Sequence, residues 1–416
     1  MKPGSAGVAG TACEPKLGAS IREEFPLLAA NPSLAYLDNA ATTQKPRVVL
    51  EALRNFYEHD CANIHRSVHQ LGERATEAYE AARGEVRSFL HAPSTEEVIF
   101  VRGTTEAVNL VANGFARAVL KPGDEVLVTG LEHHSNIVPW QLACEISGAK
   151  LAVAPINDRG EVELEAFRQR LTPRTRMAAF AHISNALGTV NPVREMIAAA
   201  RAAGAATLID GAQAAPHAAI DVQALGCDFY AISGHKMYGP TGIGALFGRR
   251  EWLERLPPWQ GGGDMIRSVT FEKTTYNDLP YKFEAGTPHI AGGIGLGAAA
   301  AFLRGIGLEA IAAWEHDLLE YGSARLEAIP GVRLIGTARR KAAVLSFVVE
   351  GIHPHDVGTV LDAEGVAVRA GHHCAQPVME RFGIAATTRA SLGLYNTRAD
   401  LDQLAAGLRK AKEMFA

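Results

Sequence analysis

The stretch from residue 97 to residue 130, EVIFVRGTTEAVNLVANGFARAVLKPGDEVLVTG, contains the pattern that decides the fold. EVIFV is a short apolar run typical of a buried strand, TEAVNLVANGFARAVL has helical periodicity, and EVLVTG is a second β-rich run after the turn KPGD. The same alternation continues to about residue 250 through RMAAFAHI, REMIAAARAAG, ATLID and FYAIS. Because strands that alternate with helices form βαβ units on a parallel sheet, we predict a large, doubly wound α/β domain.

The C-terminal part of the sequence predicts a second, smaller α+β domain. Residues 260–297 are rich in glycine and polar residues, and we predict that they form site-lining loops. The segments after them are predicted as a helix at 308–328, strands in VRLIG and AVLSFVVE, and helices at 355–363 and 400–415. The predicted division of the chain is a flexible leader at 1–20, an N-terminal segment packing on the small domain at 21–34, a large domain at 35–300 and a small domain at 301–416.

Composition and charge exclude several classes of protein. Of the 416 residues, 47% are hydrophobic and 21% are charged, which is the balance of a globular enzyme. The net charge of −4 argues against a nucleic-acid partner, and no apolar run approaches the ~18 residues of a membrane span. The five cysteines are scattered without a CxxC pair, so we expect neither a disulfide framework nor a zinc knuckle. A soluble protein of the reducing cytoplasm fits these features.

Three motifs at the ends of predicted strands carry reactive or anion-binding residues. Lys236 lies in AISGHKMYGPTGIGALF, Asp210 and Gln213 lie in ATLIDGAQAAPH, and VRGTTEAVN places Thr104 and Thr105 at a helix start. Ligands of open α/β sheets bind at the carboxyl ends of strands, and helix starts attract anions. A lysine for a Schiff base, a carboxylate for the pyridine nitrogen and a phosphate cup are what pyridoxal phosphate requires. The motifs therefore predict a pyridoxal-phosphate enzyme in which Lys236 carries the cofactor.

Each of these residues also has an ordinary structural interpretation. Lys236 could be a surface lysine in a turn, Asp210 could cap the following helix, and Thr104 could be a simple N-cap. Ser233, His235 and the flanking glycines favour the cofactor interpretation of the lysine.

Paired histidines follow the next strand, in TGLEHHSNIVPW. His133 could stack on a pyridine ring, with His134 beside it. A metal site that uses both, together with His372, His373 and Cys374, is an alternative. We discount it because adjacent residues of an extended segment point to opposite sides, and no further ligand lies at a suitable near spacing.

The smaller domain contributes a cysteine and two arginines. VRAGHHCAQP contains Arg369 and Cys374, and TTRASLGLYNT contains Arg389. Cys374 could be a buried small hydrophobe, but its polar and cationic neighbours suit a nucleophilic thiolate. The planar fork of Arg389 can hold a carboxylate through two parallel hydrogen bonds, although a surface ion pair is the simpler interpretation.

These motifs, together with YLDNAAT, HISNALGTV and FEAGTP and in this order along the chain, closely resemble the cysteine desulfurases of the sulfur-mobilisation (Suf) type, in the class V aminotransferase family. The resemblance covers nearly everything after the leader. It implies a fold type I, aspartate-aminotransferase-like homodimer that converts L-cysteine to L-alanine and keeps the sulfur as a persulfide. It also implies a sulfur-acceptor protein of the SufE or SufU type and a role in iron-sulfur cluster assembly.

The resemblance also implies a role for each site residue. Lys236 matches the Schiff-base lysine and Asp210 the partner of the pyridine nitrogen. The remaining matches are Gln213 to the ring oxygen, His133 to ring stacking, Thr104, Thr105, Ser233 and His235 to the phosphate, Thr287 of a partner chain to the cofactor, Asn185, Arg389, Arg369 and His65 to the substrate site, and Cys374 to the persulfide carrier.

Two other functions remain open at the level of sequence. A selenocysteine lyase uses the same scaffold and can release selenium without a protein thiol, so rates on both amino acids before and after Cys374→Ala would distinguish it. A non-catalytic sulfur-carrier scaffold would keep the fold only for partner binding. The presence of Lys236, Asp210, Cys374 and Arg389 together argues against such a scaffold.

Overall fold

The structure is a computed structural model that describes residues 16–415. Most of the predicted leader, residues 1–15, lies outside the described part, as does Cys13. A 3₁₀ helix, Gly18–Glu24, begins within the predicted leader. The Gly18 N–H donates to the Leu394 carbonyl at 2.8 Å, so this segment contacts the C-terminal part of the chain.

Helices and strands alternate along most of the described chain. Its α-helices are α1 (Pro26–Ala30), α2 (Arg47–Asn55), α3 (Gln70–Leu90), α4 (Thr104–Ala118), α5 (Val138–Ser147), α6 (Leu164–Arg170), α7 (Val193–Ala202), α8 (Val222–Leu225), α9 (Arg250–Arg255), α10 (Ile290–Ile306), α11 (Leu308–Glu327), α12 (Pro354–Ala363), α13 (Gln376–Phe382) and α14 (Arg398–Met414). Its strands are β1 (Ala35–Tyr36), β2 (Val98–Val101), β3 (Glu125–Thr129), β4 (Lys150–Ala154), β5 (Thr175–Ala181), β6 (Ala206–Asp210), β7 (Phe229–Ser233), β8 (Gly244–Gly248), β9 (Ile266–Val269), β10 (Thr274–Tyr276), β11 (Val332–Ile335), β12 (Val344–Val349), β13 (Val366–Ala367), β14 (Arg369–Gly371) and β15 (Thr387–Ser391).

The largest sheet has seven strands in the order β2-β8-β7-β6-β5-β3-β4. Strands β7, β6, β5, β3 and β4 run parallel, and β8 is antiparallel to both of its neighbours. This arrangement confirms the predicted α/β class and its mostly parallel sheet. The non-consecutive strand order is that of a doubly wound fold, in which side chains after the carboxyl ends of the strands meet at one edge.

Both faces of this sheet are covered by apolar cores. Val98 and Phe100 of β2 pack into one core, whereas Ile99 and Val101 pack into the other. Because side chains alternate along a strand, this division places a core on each face of the sheet. Burial on both faces explains why the strands read as continuous apolar runs in the sequence.

A second, antiparallel sheet has the order β11-β12-β15-β14 and carries α11 and α12 against it. All four of its strands come from residues 332–391, which together with the two helices form an α+β unit. Strand β1 pairs in parallel with β13, and Asp38 forms a bridge with Ser391, so the chain just before the large sheet contacts this unit.

The prediction of loops throughout residues 260–297 is wrong at two places. β9 and β10 form an antiparallel hairpin, and α10 begins at Ile290 and continues past the predicted domain boundary at residue 300. The glycines of α10 serve close helix packing. A Cβ on Gly297 would lie 2.6 Å from Ala82, and one on Gly293 would lie 2.6 Å from Tyr79 of α3.

Within residues 16–415, no single helix is long and apolar enough to cross a membrane. α10 and α11 pass that test only as a pair, and they are bent by 75° at the break between them.

Candidate active site

A cavity of about 300 Å³ lies where the carboxyl ends of the parallel strands meet the smaller sheet. It is lined by most of the residues that the sequence singles out, namely Thr104, Thr105, His133, Asn185, Asp210, Gln213, Ser233, His235, Lys236, Arg369, Cys374 and Arg389. The folded chain therefore brings together motifs from both halves of the sequence.

Lys236 and Asp210 come from neighbouring parallel strands. Asp210 is the last residue of β6, and Lys236 ends the short 3₁₀ turn directly after β7. Loss of hydration at the cavity wall lowers the pKa of Lys236 from 10.5, while Asp210 partly opposes that shift. Burial likewise raises the pKa of Asp210, and Lys236 partly offsets it. The lysine amine is consequently easier to deprotonate, as a nucleophilic amine must be.

The start of α4 forms a cluster of hydroxyl groups. The Ser233 hydroxyl donates to Thr104 Oγ1 and accepts from the Thr104 N–H, both at 2.9 Å. Thr105 Oγ1 lies 2.7 Å from Ser135 Oγ. Gly103 precedes the helix with a φ of 151°, and a Cβ there would lie 3.2 Å from Ser233 Oγ. Apart from the contact of Ser233 with the Thr104 N–H, the N-cap residue Gly103 offers α4 no side-chain acceptor, so the rest of this helix start can receive an anion.

Ser135 is a cavity residue that sequence reasoning missed. Its position, two residues after His133 in the EHHS motif, was the available signal. The Ser135 N–H donates to His133 Nδ1 at 3.0 Å, which leaves the ring proton of a neutral His133 on Nε2. Burial and the nearby Lys236 lower the pKa of His133 to about 3, so the imidazole is neutral at pH 7. A neutral ring suits stacking against an aromatic ligand.

Burial and Lys236 also lower the pKa of His235 to about 4. Gln213 Nε2 donates to the Ala40 carbonyl at 2.7 Å, which fixes the side-chain amide at the cavity wall. Asp210 Oδ1 accepts the Ala212 N–H at 2.9 Å, and its second carboxylate oxygen, which has no hydrogen-bond partner within residues 16–415, can accept a ring N–H.

The loop before α13 carries Cys374 into the cavity. The Cys374 side chain is exposed, and both His373 and Cys374 have a φ of 54°, a left-handed conformation that is uncommon for non-glycine residues. The Asn185 side chain donates to the His373 carbonyl at 2.6 Å and so ties this loop to the large domain.

Arg389 is fully buried beside this loop. Its Nη1 donates to the Asn185 carbonyl at 2.9 Å, and its Nη2 lies 3.5 Å from Asp38 Oδ1. Arg389 Nε has no hydrogen-bond partner in the described part of the chain. Burial lowers the pKa of Arg389 to about 10, and Asp38 partly counteracts this. A buried guanidinium with a free N–H is suited to receive a carboxylate.

Asp38 is a second residue that sequence reasoning missed as a site component. It accepts hydrogen bonds from Arg369 Nε and Nη2 at 2.8–3.2 Å and also lies beside Arg389. The motif YLDNAAT, in which it lies, was the available signal. Asp38 thus orients both cavity arginines.

Thr287 and His65 do not line this cavity. Thr287 lines a separate cavity with Trp259, and His65 Nε2 lies 2.9 Å from Glu80 Oε1. Their predicted roles stay predictions. In residues 16–415, no group of three His, Cys, Asp or Glu side chains is arranged to hold a metal ion.

The mostly parallel sheet, with a cavity at its strand ends, is that of the pyridoxal-phosphate-dependent fold type I. Residues 35–404 match the model of the family described as Aminotransferase class-V, and the chain belongs to that family.

Curated relatives include proteins named as cysteine desulfurases. The chain is 55% identical over 393 residues to "Cysteine desulfurase" of Synechococcus elongatus, covering 94% of this chain but 63% of that relative. It is 52% identical over 398 residues to "Probable cysteine desulfurase" of Halalkalibacterium halodurans, covering 95% of this chain and 98% of the relative.

Among solved structures, the chain is similar to the cysteine desulfurase CsdA of Escherichia coli. The TM-score is 0.89 and the identity 41%, with 95% of this chain and 98% of that one covered. The chain spans less than two thirds of the length of the Synechococcus elongatus relative, whereas it spans nearly all of the Escherichia coli structure.

Proposed function

We propose that this protein is a cysteine desulfurase that converts L-cysteine to L-alanine and retains the sulfur as a persulfide on Cys374. The observation that carries this proposal is that an exposed Cys374 shares one cavity with Lys236, Asp210 and Arg389. The names of the similar proteins support it.

The cavity residues fit pyridoxal phosphate. Lys236 would carry it, Asp210 would face its ring nitrogen, and His133 would stack on the ring. The phosphate would be held by Thr104, Thr105, Ser233 and His235. When bound, the cofactor supplies an electron sink for negative charge that develops at the substrate carbons. The Asp210 assignment is supported by its second carboxylate oxygen, which has no hydrogen-bond partner in the described part of the chain, and the phosphate assignment by the Gly103 N-cap of α4, which has no side-chain acceptor.

Arg389 and Asn185 would hold the substrate carboxylate. Arg389 Nε has no hydrogen-bond partner among residues 16–415, and Asn185 has a second amide N–H besides the one bonded to His373. The Lys236 amine, with its lowered pKa, would remove the proton from the substrate Cα.

The Cys374 thiolate would then attack the substrate sulfur. An S–S bond forms while the bond between the sulfur and the substrate Cβ breaks. The electron pair of the broken bond stays with the substrate, whose Cβ takes up a proton and becomes the methyl group of alanine, and the Lys236 ammonium returns a proton to Cα. One sulfur atom remains on Cys374 as a persulfide.

We also propose that the active form is a homodimer, with Thr287 contributing to the partner's cofactor site. Exposed apolar side chains lie close together in sequence in and after α2, and a partner subunit would cover them in the homodimer. They are Val48, Leu50, Tyr57, Val68 and Leu71.

We further propose that the sulfur on Cys374 is transferred to an acceptor protein of the SufE or SufU type, for iron-sulfur cluster assembly. The exposure of Cys374 supports this transfer. The free cysteines of the described chain suit a reducing cytoplasm.

The proposal is tested by alanine production from L-cysteine in the presence of an acceptor protein. We expect Cys374→Ala to abolish turnover, because the attacking thiolate is lost. Cys61→Ala is the matched control, since Cys61 is also an exposed free cysteine but does not line the cavity. Full alanine production by Cys374→Ala would rule out the persulfide step.

A further inference from the structure

His134 has no part in the proposed chemistry, yet it makes two contacts with the Cys374 loop. Its backbone N–H donates to the Cys374 carbonyl at 2.8 Å. Its ring Nε2 accepts the Gln376 N–H at 3.1 Å. The residue next to it, His133, lines the cavity, so the two histidines of one dipeptide contact the cofactor cavity and the cysteine loop respectively.

The cysteine loop needs support from outside itself. Two consecutive non-glycine residues, His373 and Cys374, have left-handed backbone conformations, which are strained. The helix that follows, α13, has Ala375 at its N-cap and no side-chain cap of its own. The Gln376 N–H at its start is bonded instead by His134, from a part of the chain 242 residues away.

We propose that His134 is a positioning residue that holds Cys374 in the geometry required for attack on the substrate sulfur. The inference rests on the proposed function. Asn185 provides a second tether from the large domain through the His373 carbonyl, so the loop is held on both sides of the thiol. A metal role for His134 is disfavoured, because its Nε2 already accepts an N–H and the described residues offer no ligand cluster.

Removing the ring acceptor should loosen the loop without disturbing the substrate carboxylate contacts. His134→Ala keeps the backbone N–H that bonds to Cys374 and loses only the bond to Gln376. Loss of one such hydrogen bond corresponds to roughly a three- to tenfold effect. His134→Gln carries a side-chain oxygen at a similar reach and should restore the bond.

The test combines hydrogen exchange with steady-state kinetics on the pyridoxal-phosphate-loaded enzyme. In His134→Ala we expect backbone amides in a peptide spanning residues 374–377 to exchange roughly three- to tenfold faster, with no change elsewhere. We expect kcat for alanine formation to fall by a similar factor, while KM for L-cysteine stays the same. Both effects should be largely reversed in His134→Gln.

His372→Ala is the control, since His372 is an exposed histidine of the same loop. Unchanged exchange at residues 374–377 in His134→Ala, or a kcat equal to that of the wild type, would overturn the inference. Failure of the proposed function would look different: Cys374→Ala would retain full alanine production, whatever the exchange results for His134.

Discussion

Asp38 Oδ1 lies 3.5 Å from Arg389 Nη2, so the guanidinium proposed to bind the substrate carboxylate already has a protein carboxylate beside it. The same aspartate accepts two hydrogen bonds from Arg369. Because Arg389 Nε remains without a partner in the described part of the chain, Asp38 leaves one edge of the fork for a ligand. The aspartate orients the arginine rather than replacing the substrate.

Asp38→Asn should raise KM for L-cysteine by about three- to tenfold, because the two arginines lose the charge that orients them. Steady-state kinetics would measure the change. Asp317→Asn, which affects an exposed pair with Arg398, is the control and should have no effect. A lower KM in Asp38→Asn would show that the aspartate competes with the substrate instead.

Arg389→Lys should reduce kcat/KM for L-cysteine by about 10- to 100-fold. A lysine ammonium keeps the charge but cannot form two parallel hydrogen bonds with a carboxylate, and charged hydrogen bonds contribute about 1.5–3 kcal/mol each. Cysteamine, which lacks the carboxylate, provides the comparison: its reaction with the enzyme should be no worse in the variant. Equal kcat/KM for L-cysteine in both enzymes would exclude Arg389 from carboxylate binding.

Lys236→Ala should no longer fix pyridoxal phosphate covalently when treated with borohydride, because the proposed attachment amine is gone. Peptide mapping of the reduced wild type should find the cofactor on Lys236. Lys45→Ala is a suitable control, as Lys45 is a partly buried lysine outside the cavity lining. Borohydride-fixed cofactor in Lys236→Ala would contradict the assignment.

Thermal stability should decrease as the pH falls from 6.5 to about 4. Burial lowers the pKa of His133 and His373 to about 3 and that of His182 and His235 to about 4, from 6.5. At each of these four histidines the unfolded chain binds more protons than the folded chain in this pH range, so their protonation favours unfolding, whereas Glu132, whose pKa burial raises to about 8, acts in the opposite sense. Calorimetric Tm values measure the effect.

His182→Asn should make Tm less dependent on pH in that range, because one half-buried imidazole with a lowered pKa is removed from a position outside the candidate active site. His316→Asn, at an exposed histidine, should leave the dependence unchanged. An identical pH dependence in wild type and His182→Asn would show that this histidine does not contribute.

The sequence predicted the mostly parallel sheet and drew attention to motifs whose residues line the candidate active site, because both leave short-range signals. Continuous apolar runs such as EVIFV and turn residues such as KPGD mark the strands, and Lys236, Asp210 and Cys374 lie in distinctive motifs. Pairing of β1 with β13 has no such signal, since it depends on contacts between distant parts of the chain. The position of Asp38 beside Arg389 depends on contacts of this kind, so the YLDNAAT motif by itself did not show the role of Asp38.

The glycine-rich segment before residue 300 was misread for a different reason. Glycine usually marks turns, but in α10 it allows the helix backbone to approach α3 closely. Likewise, the paired histidines suggested either ring stacking or a metal. The contacts of His134 with Cys374 and Gln376 became visible only in three dimensions.

The most direct test of the central claim is to incubate the cofactor-loaded protein with one equivalent of L-cysteine, without acceptor or reductant, and then to map its peptides by mass spectrometry under non-reducing conditions. We predict one equivalent of alanine and one added sulfur atom on the peptide that contains Cys374. Alanine formed without added sulfur on that peptide, or with the sulfur on the Cys61 peptide, would contradict the assignment of Cys374 as the persulfide carrier.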